Sequence, residues 1–244
     1  MVVGLGTGST ADCFLVALAD AIRAGRLGGI RGVPTSRQSE KRAGELGIPL
    51  LTLADALPDV TIDGADEIAP NLDLIKGLGG ALLREKIVAQ NSRRLVIIAD
   101  SSKLVAVLGT RSPLPVEVAP FGHEVHLPFL RALGAEPRLR TGVNGSPFVT
   151  DNGNRIYDCR FPRIDDPTKP PCAAARASWT VVCSLAWPAS RSWAMSRGSG
   201  RFTPHSGPGA GAHPDGRTSL PARSHRPARG RCAPTARPVR HPDR

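Results

Sequence analysis

The segment Leu95–Ala99 is apolar at every position. Such a run is typical of a strand in a parallel sheet that is covered on both faces. Similar segments alternate along the chain with segments whose apolar residues recur at helical spacing. This alternation predicts an α/β fold with a layered sheet. The other predicted strands are Met1–Leu5, Gly32–Ser36, Pro49–Leu53 and Val60–Ile62, and the predicted helices are Ala11–Ala24, Arg37–Leu46 and Leu82–Ala89.

The pattern changes after residue 112. The elements predicted beyond it are a strand at Pro115–Val118, a helix at Glu124–Leu133 and a hairpin at Phe148–Phe161. The hairpin is expected to turn at Asp151–Asn154, because Asn and Gly favour the backbone conformations of tight turns. We therefore predict an α/β domain over residues 1–112 and a partial, smaller α+β domain over residues 113–167.

The net charge of +11 lies in the last third of the chain. Residues 168–244 hold 13 of the 32 basic residues and two of the 21 acidic residues, so residues 1–167 carry 19 of each. The last segment also holds 11 of the 23 prolines and no isoleucine. It cannot bury enough apolar surface to offset the entropy of ordering. We predict that residues 168–244 form a disordered tail rich in Arg and Pro.

Composition excludes several classes of protein. With 41% hydrophobic and 22% charged residues, the chain as a whole is not typical of a disordered protein. No apolar run approaches the ~18 residues of a membrane span, and no secretory signal is visible. The five cysteines form no CxxC pair and no metal-binding pattern. These features predict reduced thiols in the cytoplasm, without a membrane or a metal.

A glycine-rich turn, Gly4-Leu-Gly-Thr-Gly-Ser-Thr10, follows the first strand and precedes a helix. Backbone N–H groups in such a turn, with the positive end of the helix, suit a phosphate. The hydroxyls of Thr7, Ser9 and Thr10 add donors. The turn is not the dinucleotide-binding fingerprint, because its third glycine has the wrong spacing. A plain strand-to-helix turn is the alternative.

Two charged motifs follow further along the chain. Asp63-Gly-Ala-Asp-Glu67 places three carboxylates at a strand end, where ligands bind in α/β sheets and where like charges raise each other's pKa. Lys76-Gly-Leu-Gly-Gly80 precedes Arg84-Glu-Lys86, so that Lys76 could stabilise an oxyanion and Glu85 could act as a base. Lys103 supplies another cation. The alternatives are a helix cap for the carboxylates and exposed charges for the rest.

Together these motifs resemble type A ribose-5-phosphate isomerase over residues 1–167. The longest matches are Thr61–Ile68 and Lys76–Lys86. The resemblance implies a Rossmann-like domain with a smaller α+β domain. It also implies that the chain interconverts D-ribose 5-phosphate and D-ribulose 5-phosphate through an enediolate, in the non-oxidative pentose phosphate pathway. No cofactor or metal would be needed, and the protein would be a cytoplasmic homodimer.

The resemblance also implies roles for individual residues. Glu85 would carry the proton between C2 and C1 of the sugar. Asp63, Asp66 and Lys76 would handle the hydroxyl and carbonyl protons and the enediolate charge. The implied substrate-binding residues are Thr7, Gly8, Ser9, Thr10, Gly64, Ala65, Gly77, Leu78, Gly79 and Lys103.

The chain departs from the family at both ends. The family normally has a helix before the first strand, and its small domain continues past Pro167. Back-translating Arg176–Pro188 and reading one base earlier gives Gly-Val-Val-Asp-Gly-Gly-Leu-Phe-Leu-Gly-Met-Ala, which resembles the family's C-terminal segment. The tail is therefore either the product of a shifted reading frame, which we favour, or a genuine basic extension. Without the family's partners for Val149, Ile156 and Phe161, we expect the chain as written to be a weak enzyme or none.

Two other functions fit parts of the sequence. A sugar-phosphate sensor of a transcription regulator would need the phosphate loop but not a base, so Glu85 with Lys76 favours the enzyme. A nucleic-acid-binding arm would use the basic tail. The tail lacks the helical periodicity and the interspersed aromatic residues that would favour this function. Its charge therefore predicts only non-specific binding to nucleic acid.

Overall fold

The computed structural model describes residues 1–164, 181–183 and 192–196. In chain order the elements are β1 (Val2–Leu5), α1 (Ser9–Arg23), β2 (Arg31–Pro34), α2 (Arg37–Glu45), β3 (Val60–Asp63), β4 (Glu67–Ile68), β5 (Leu74–Ile75), α3 (Leu82–Gln90), β6 (Leu95–Ala99), β7 (Leu114–Val118), α4 (His126–Ala132), β8 (Glu136–Leu139), β9 (Arg155–Arg160), β10 (Val181–Cys183) and β11 (Ser192–Ser196). None of the helices in this part of the chain is long and apolar enough to cross a membrane.

Five parallel strands form the first sheet, in the order β11-β6-β3-β1-β2. One core cluster joins Leu5 on β1 with Leu15 and Leu18 on α1, and another joins Ile97 on β6 with Ala89 on α3. Burying each large apolar side chain contributes about 1.5–3 kcal/mol. Helices thus cover a parallel sheet, and the predicted α/β fold is confirmed.

The Thr61 side chain on β3 fills the space beside Gly4 on β1. A Cβ atom on Gly4 would lie 1.9 Å from Thr61 Oγ1. Thr61 cannot move aside easily, because it is fully buried and its hydroxyl lies 2.6 Å from that of Ser92. The parallel register places the carboxyl ends of both strands at one edge of the sheet. The glycine-rich loop and Asp63 therefore start side by side.

The second sheet has the order β10-β7-β9-β8 and is antiparallel throughout. Val116 and Val118 of β7, Tyr157 of β9 and Leu130 of α4 form its buried core. Ile75 of β5 also belongs to this core, so the chain around the charged motifs packs on both sheets. The second sheet begins close to residue 113, and the division into two domains stays a prediction.

Glu67 connects β4 to the loop that precedes β7. Its side chain is fully buried, and its carboxylate accepts N–H groups from Gly109 at 2.6 Å, Arg111 at 2.8 Å and Ser112 at 2.5 Å. These three donors lie in the loop that enters β7. The carboxylate is therefore used for structure, although the sequence groups it with Asp63 and Asp66.

Two predicted elements differ from the structure. Pro49–Leu53 forms only a single bridge, Leu50 to Gly32, because Thr52 turns the chain by donating from its N–H and hydroxyl to Asp55. The turn at Asp151–Asn154 exists, but β9 pairs with β7 and β8, not with the segment that starts at Phe148. Strand β8 was missed because its sequence, Glu-Pro-Arg-Leu, carries few strand signals.

Two short strands lie within the segment predicted to be a disordered tail, and the prediction for residues 168–244 as a whole stays a prediction. Strands β10 and β11 fall within the predicted disordered segment, and they supply backbone partners to β7 and β6. The other residues beyond 164 lie outside the described residues. Ile156 and Phe161 are buried at 0% and 8% exposure, so the prediction that they lack packing partners is wrong, whereas Val149 is 53% exposed.

Replacing Gly4 with alanine should destabilise the fold by about 1–3 kcal/mol, because the new methyl group would overlap the Thr61 hydroxyl. Gly28→Ala is the matched control, since a Cβ there meets nothing within 4 Å. Urea denaturation of the two variants and the parent chain measures the difference. Equal stabilities for Gly4→Ala and Gly28→Ala would contradict this account of the β1–β3 contact.

Candidate active site

A cleft opens at the carboxyl ends of β1 and β3, the edge at which parallel sheets bind ligands. It is bounded by the glycine-rich loop, the segment after β3, the loop before α3 and the turn after β6. The lining residues are Thr7, Gly8, Ser9, Thr10, Gly64, Ala65, Asp66, Lys76, Gly77, Gly79, Glu85 and Lys103. The structure thus brings together at one cleft every predicted site residue except Asp63 and Leu78.

The glycine-rich loop presents the N-terminus of α1 to this cleft. Gly8 precedes the helix with φ 106°, a conformation that residues with a Cβ rarely adopt. The first N–H groups of a helix have no partner within it, so those that follow Gly8 can bind an anion. Gly6 allows the loop to lie against β3, since a Cβ there would be 2.5 Å from Asp63 Oδ1.

Thr7 lines the cleft, but its polar groups are used inside the protein. Its N–H donates to Asp63 Oδ1 at 3.2 Å. Its hydroxyl lies 2.8 Å from those of Thr35 and Ser36, at the end of β2 and the start of α2. The predicted role of the Thr7 hydroxyl as a phosphate donor is therefore not favoured. Thr7 instead fixes the loop to its neighbours.

Asp63 lies at the end of β3, beneath the cleft, and is fully buried. Its Oδ1 accepts N–H groups from Thr7 and, at 2.7 Å, from Gly64. Its Oδ2 lies 3.0 Å from Lys76 Nζ. The carboxylate thus holds the loop on one side and a lysine on the other.

Lys76 is buried between two carboxylates, with only 3% of its side chain exposed. Its Nζ lies 3.0 Å from Asp63 Oδ2 and 3.3 Å from Glu85 Oε2, and it donates to the Gly64 carbonyl at 2.5 Å. Burial alone would lower the pKa of Lys76, but the charges of Asp63 and Glu85 raise it above its ordinary value. The ammonium therefore stays charged at neutral pH.

Glu85 reaches this cluster because it lies on the inward face of α3. Its spacing from Leu82, Val88 and Ala89 places all four on the buried side of the helix. Burial raises the pKa of Glu85 to about 8, although the charge of Lys76 acts in the opposite direction. Glu85 lies outside the Asp63–Glu67 motif for which the sequence predicts raised pKa values, and the main cause of its own raised pKa is burial.

Asp66 and Leu78 meet across the cleft mouth. Asp66 Oδ2 accepts the N–H of Leu78 at 3.0 Å, so Leu78 enters the site through its backbone. Burial raises the pKa of Asp66, while this hydrogen bond and the charge of Lys76 oppose the rise. Among the described residues, no group of three or more His, Cys, Asp and Glu side chains could hold a metal ion.

Sequence reasoning missed a residue from the second sheet. Arg140 follows β8, and its guanidinium bonds Asp158 and the carbonyls of Gly77 and Leu78. Asp158 lies in a segment that resembles the family, but no local pattern marks Arg140. Arg140 lies 18 positions from Asp158 and more than 60 positions from Gly77. Residue spacing along the chain cannot predict contacts between residues so far apart in sequence.

Comparison with known proteins decides which family this site represents. The sequence model of the family described as Ribose 5-phosphate isomerase A (phosphoriboisomerase A) matches residues 31–177. The chain belongs to this family. Its curated relatives include the ribose-5-phosphate isomerase A of Roseiflexus castenholzii, 57% identical over 169 residues that cover 68% of this chain and 72% of that protein. The enzyme of Deinococcus radiodurans is 53% identical over 160 residues, covering 66% and 70%.

Solved structures agree with this assignment. The ribose 5-phosphate isomerase of Plasmodium falciparum is 40% identical, covers 76% of this chain and 81% of its own, and has a TM-score of 0.72. A D-ribose-5-phosphate isomerase in complex with phospho-erythronic acid is 41% identical, with 76% and 82% coverage and a TM-score of 0.73. At these identities the likeness extends beyond the fold, and the predicted family is confirmed.

Replacing Lys76 with methionine should destabilise the isomerase by about 3–5 kcal/mol, because it leaves two buried carboxylates without their cation. Lys41→Met, at an exposed position, is the control. Urea denaturation measures both. Adding Glu85→Gln to Lys76→Met should recover part of the loss, and a Lys76→Met chain as stable as the control would show that the cluster is not coupled.

Proposed function

We propose that this isomerase interconverts ribose 5-phosphate and ribulose 5-phosphate with Glu85 as the base and Lys76 as the electrophile. The observation that carries the proposal is the buried cluster at the cleft, where Lys76 Nζ lies 3.0 Å from Asp63 and 3.3 Å from Glu85. A carboxylate base and a fixed cation are the two groups that an enediolate mechanism requires.

Glu85 would take the proton from C2 of the aldose. This proton is a weak acid, so the carboxylate must be a stronger base than an exposed glutamate. A pKa of about 8 provides that basicity near neutral pH. The bond electrons of C2–H become the C1=C2 double bond, and the negative charge moves to the oxygen on C1. Glu85 then returns the proton to C1.

The oxygens need a second proton movement. The O1 oxygen must gain a proton, and the hydroxyl on C2 must lose one to become the ketone. We assign the stabilisation of the charge on O1 to Lys76, which Asp63 holds in place. Asp66, at the cleft mouth, is our candidate for transfer between the oxygens, because burial keeps its pKa above the usual range for an aspartate.

The phosphate would bind at the other part of the cleft. The N-terminus of α1 offers N–H groups there, Ser9 and Thr10 add hydroxyls, and Lys103 adds a cation. The related isomerase was solved with phospho-erythronic acid, which has a phosphate and a carboxylate. A planar carboxylate resembles an enediolate, so the same compound is a suitable probe for this cleft. Binding the remote phosphate would orient C1 and C2 for reaction.

We also propose that the protein is a cytoplasmic homodimer, as its family membership supports. Size-exclusion chromatography with light scattering tests the dimer. A monomeric 244-residue chain would contradict it.

Replacing Glu85 with glutamine should lower kcat at least 10²–10⁴-fold, since the variant cannot accept the C2 proton. Binding of phospho-erythronic acid, measured by calorimetry, should change little. Glu136→Gln, at an exposed position, is the control. The parent chain measured beside it also tests the expectation of weak activity. Near-normal turnover by Glu85→Gln would rule out its role as the base.

The pH dependence of kcat/KM tests the same assignment. Because the base must be ionised, kcat/KM should rise with pH and level off above about 8, the pKa of Glu85 in the free enzyme. Measuring from pH 7 upward avoids the second ionisation of the substrate phosphate, which lies near ~6. A profile that is flat between pH 7 and 9 would contradict a base with a raised pKa.

A further inference from the structure

Arg140 connects the second sheet to the loop that carries Lys76. Its Nε and Nη2 donate to the carboxylate of Asp158, while Nη1 donates to the carbonyls of Gly77 at 3.2 Å and Leu78 at 3.0 Å. Only 12% of its side chain is exposed. A planar guanidinium can make these contacts at once, whereas a lysine ammonium lacks the fixed fork.

These contacts set the direction of two peptide groups. In a trans peptide the C=O and the following N–H point in opposite directions. When Arg140 binds the Gly77 carbonyl, the Leu78 N–H must point away from Arg140, and it donates to Asp66 at 3.0 Å. Binding of the Leu78 carbonyl likewise turns the N–H of Gly79 away from Arg140, and Gly79 lines the cleft.

Phe148 holds the other end of the same loop. The loop closes as a turn in which the Gly80 N–H donates to the Gly77 carbonyl at 3.0 Å. A Cβ on Gly80 would lie 2.6 Å from the Phe148 ring, so the ring packs directly on this residue. The Arg140 guanidinium carbon is 5.8 Å from the centre of that ring. Arg140 and Phe148 together therefore clamp the loop from the side of the second sheet.

We propose that Arg140, held by Asp158, is a positioning residue for the isomerisation. It acts through the Gly77–Gly79 peptides, which hold Asp66 through the Leu78 N–H and set the direction of the Gly79 N–H beside the reacting carbons. Arg140 itself is not among the residues that line the cleft. This inference rests on the proposed function, because it assigns the reacting end of the sugar to the part of the cleft near Lys76 and Asp66.

Steady-state kinetics of Arg140→Met tests the proposal in the full chain. Losing the clamp should lower kcat about 10–100-fold, the effect expected when reacting groups are misplaced by about 1 Å. KM and competitive inhibition by inorganic phosphate should stay within about threefold, because Lys103 and the α1 N-terminus are untouched. Arg23→Met is the matched control, since Arg23 pairs with Asp20 on an exposed helix face. Unchanged kcat in Arg140→Met would overturn the proposal.

A second pair of variants separates positioning from general stability. Asp158→Asn keeps an oxygen acceptor for Arg140 and should retain more of kcat than Asp158→Ala, which keeps none. Equal losses of kcat in the two variants would contradict the proposal. So would a rise in KM and in the phosphate inhibition constant at constant kcat, since that result would make Arg140 a binding cation.

Hydrogen exchange gives a readout that does not depend on activity. In Arg140→Met, the amides of residues 77–80 should exchange faster than in the parent chain, while those of β1 and β3 should not. If Glu85→Gln turns over ribose 5-phosphate as fast as the parent chain, the proposed function fails whatever the exchange data show. Unchanged exchange in residues 77–80 would instead refute the clamp alone.

Discussion

The site depends on one buried cation. Lys76 lies between Asp63 and Glu85 where almost no solvent reaches, and burying a charge in such a place is costly unless a group of opposite charge lies beside it. The charge of Lys76 offsets the cost of burying the two carboxylates, and the carboxylates raise the pKa of Lys76. Burial nevertheless raises the pKa of Glu85, because it outweighs the attraction of Lys76. In the mechanism that we propose, this raised pKa gives Glu85 the strength of a useful base beside a fixed positive charge.

The rest of the fold holds the members of this cluster in place. Close packing at Gly4 and Gly6 brings the glycine-rich loop against β3, so that Asp63 binds both the loop and Lys76. The inward face of α3 delivers Glu85. The second sheet contributes Arg140, which fixes the loop after Lys76. The two sheets therefore share one site, and neither would complete it alone.

Local sequence signals were sufficient for much of this architecture. Apolar segments predicted β1, β3 and β6, apolar residues at helical spacing predicted α1, and a polar segment that ends at Gly47 predicted α2. The motif that starts at Asp63 and the segment with Lys103 were placed correctly at the ends of β3 and β6, the edge of the sheet where ligands bind. The proposed roles of these residues come from the resemblance to the family. Their spacing alone could not distinguish a catalytic group from an exposed surface charge.

What could not be predicted depends on contacts that are distant in sequence. The Thr7 hydroxyl faces Thr35 and Ser36, not the cleft, and only the packing of β2 against β1 determines this. Glu67 belongs to the same sequence motif as Asp63 and Asp66, but its carboxylate accepts three backbone N–H groups from the loop before β7. Strand β8, with its proline and polar residues, is a strand only because β9 pairs with it.

The most direct test of the central claim is the titration of Glu85 itself. Carbon-13 NMR of the side-chain carboxyl groups in the full chain, with the Glu85 signal assigned by its loss in Glu85→Gln, measures its pKa without any assay of activity. The account predicts a midpoint near 8, because burial outweighs the attraction of Lys76. A midpoint near the ordinary value of 4.5 would show that Glu85 is not the buried base described here.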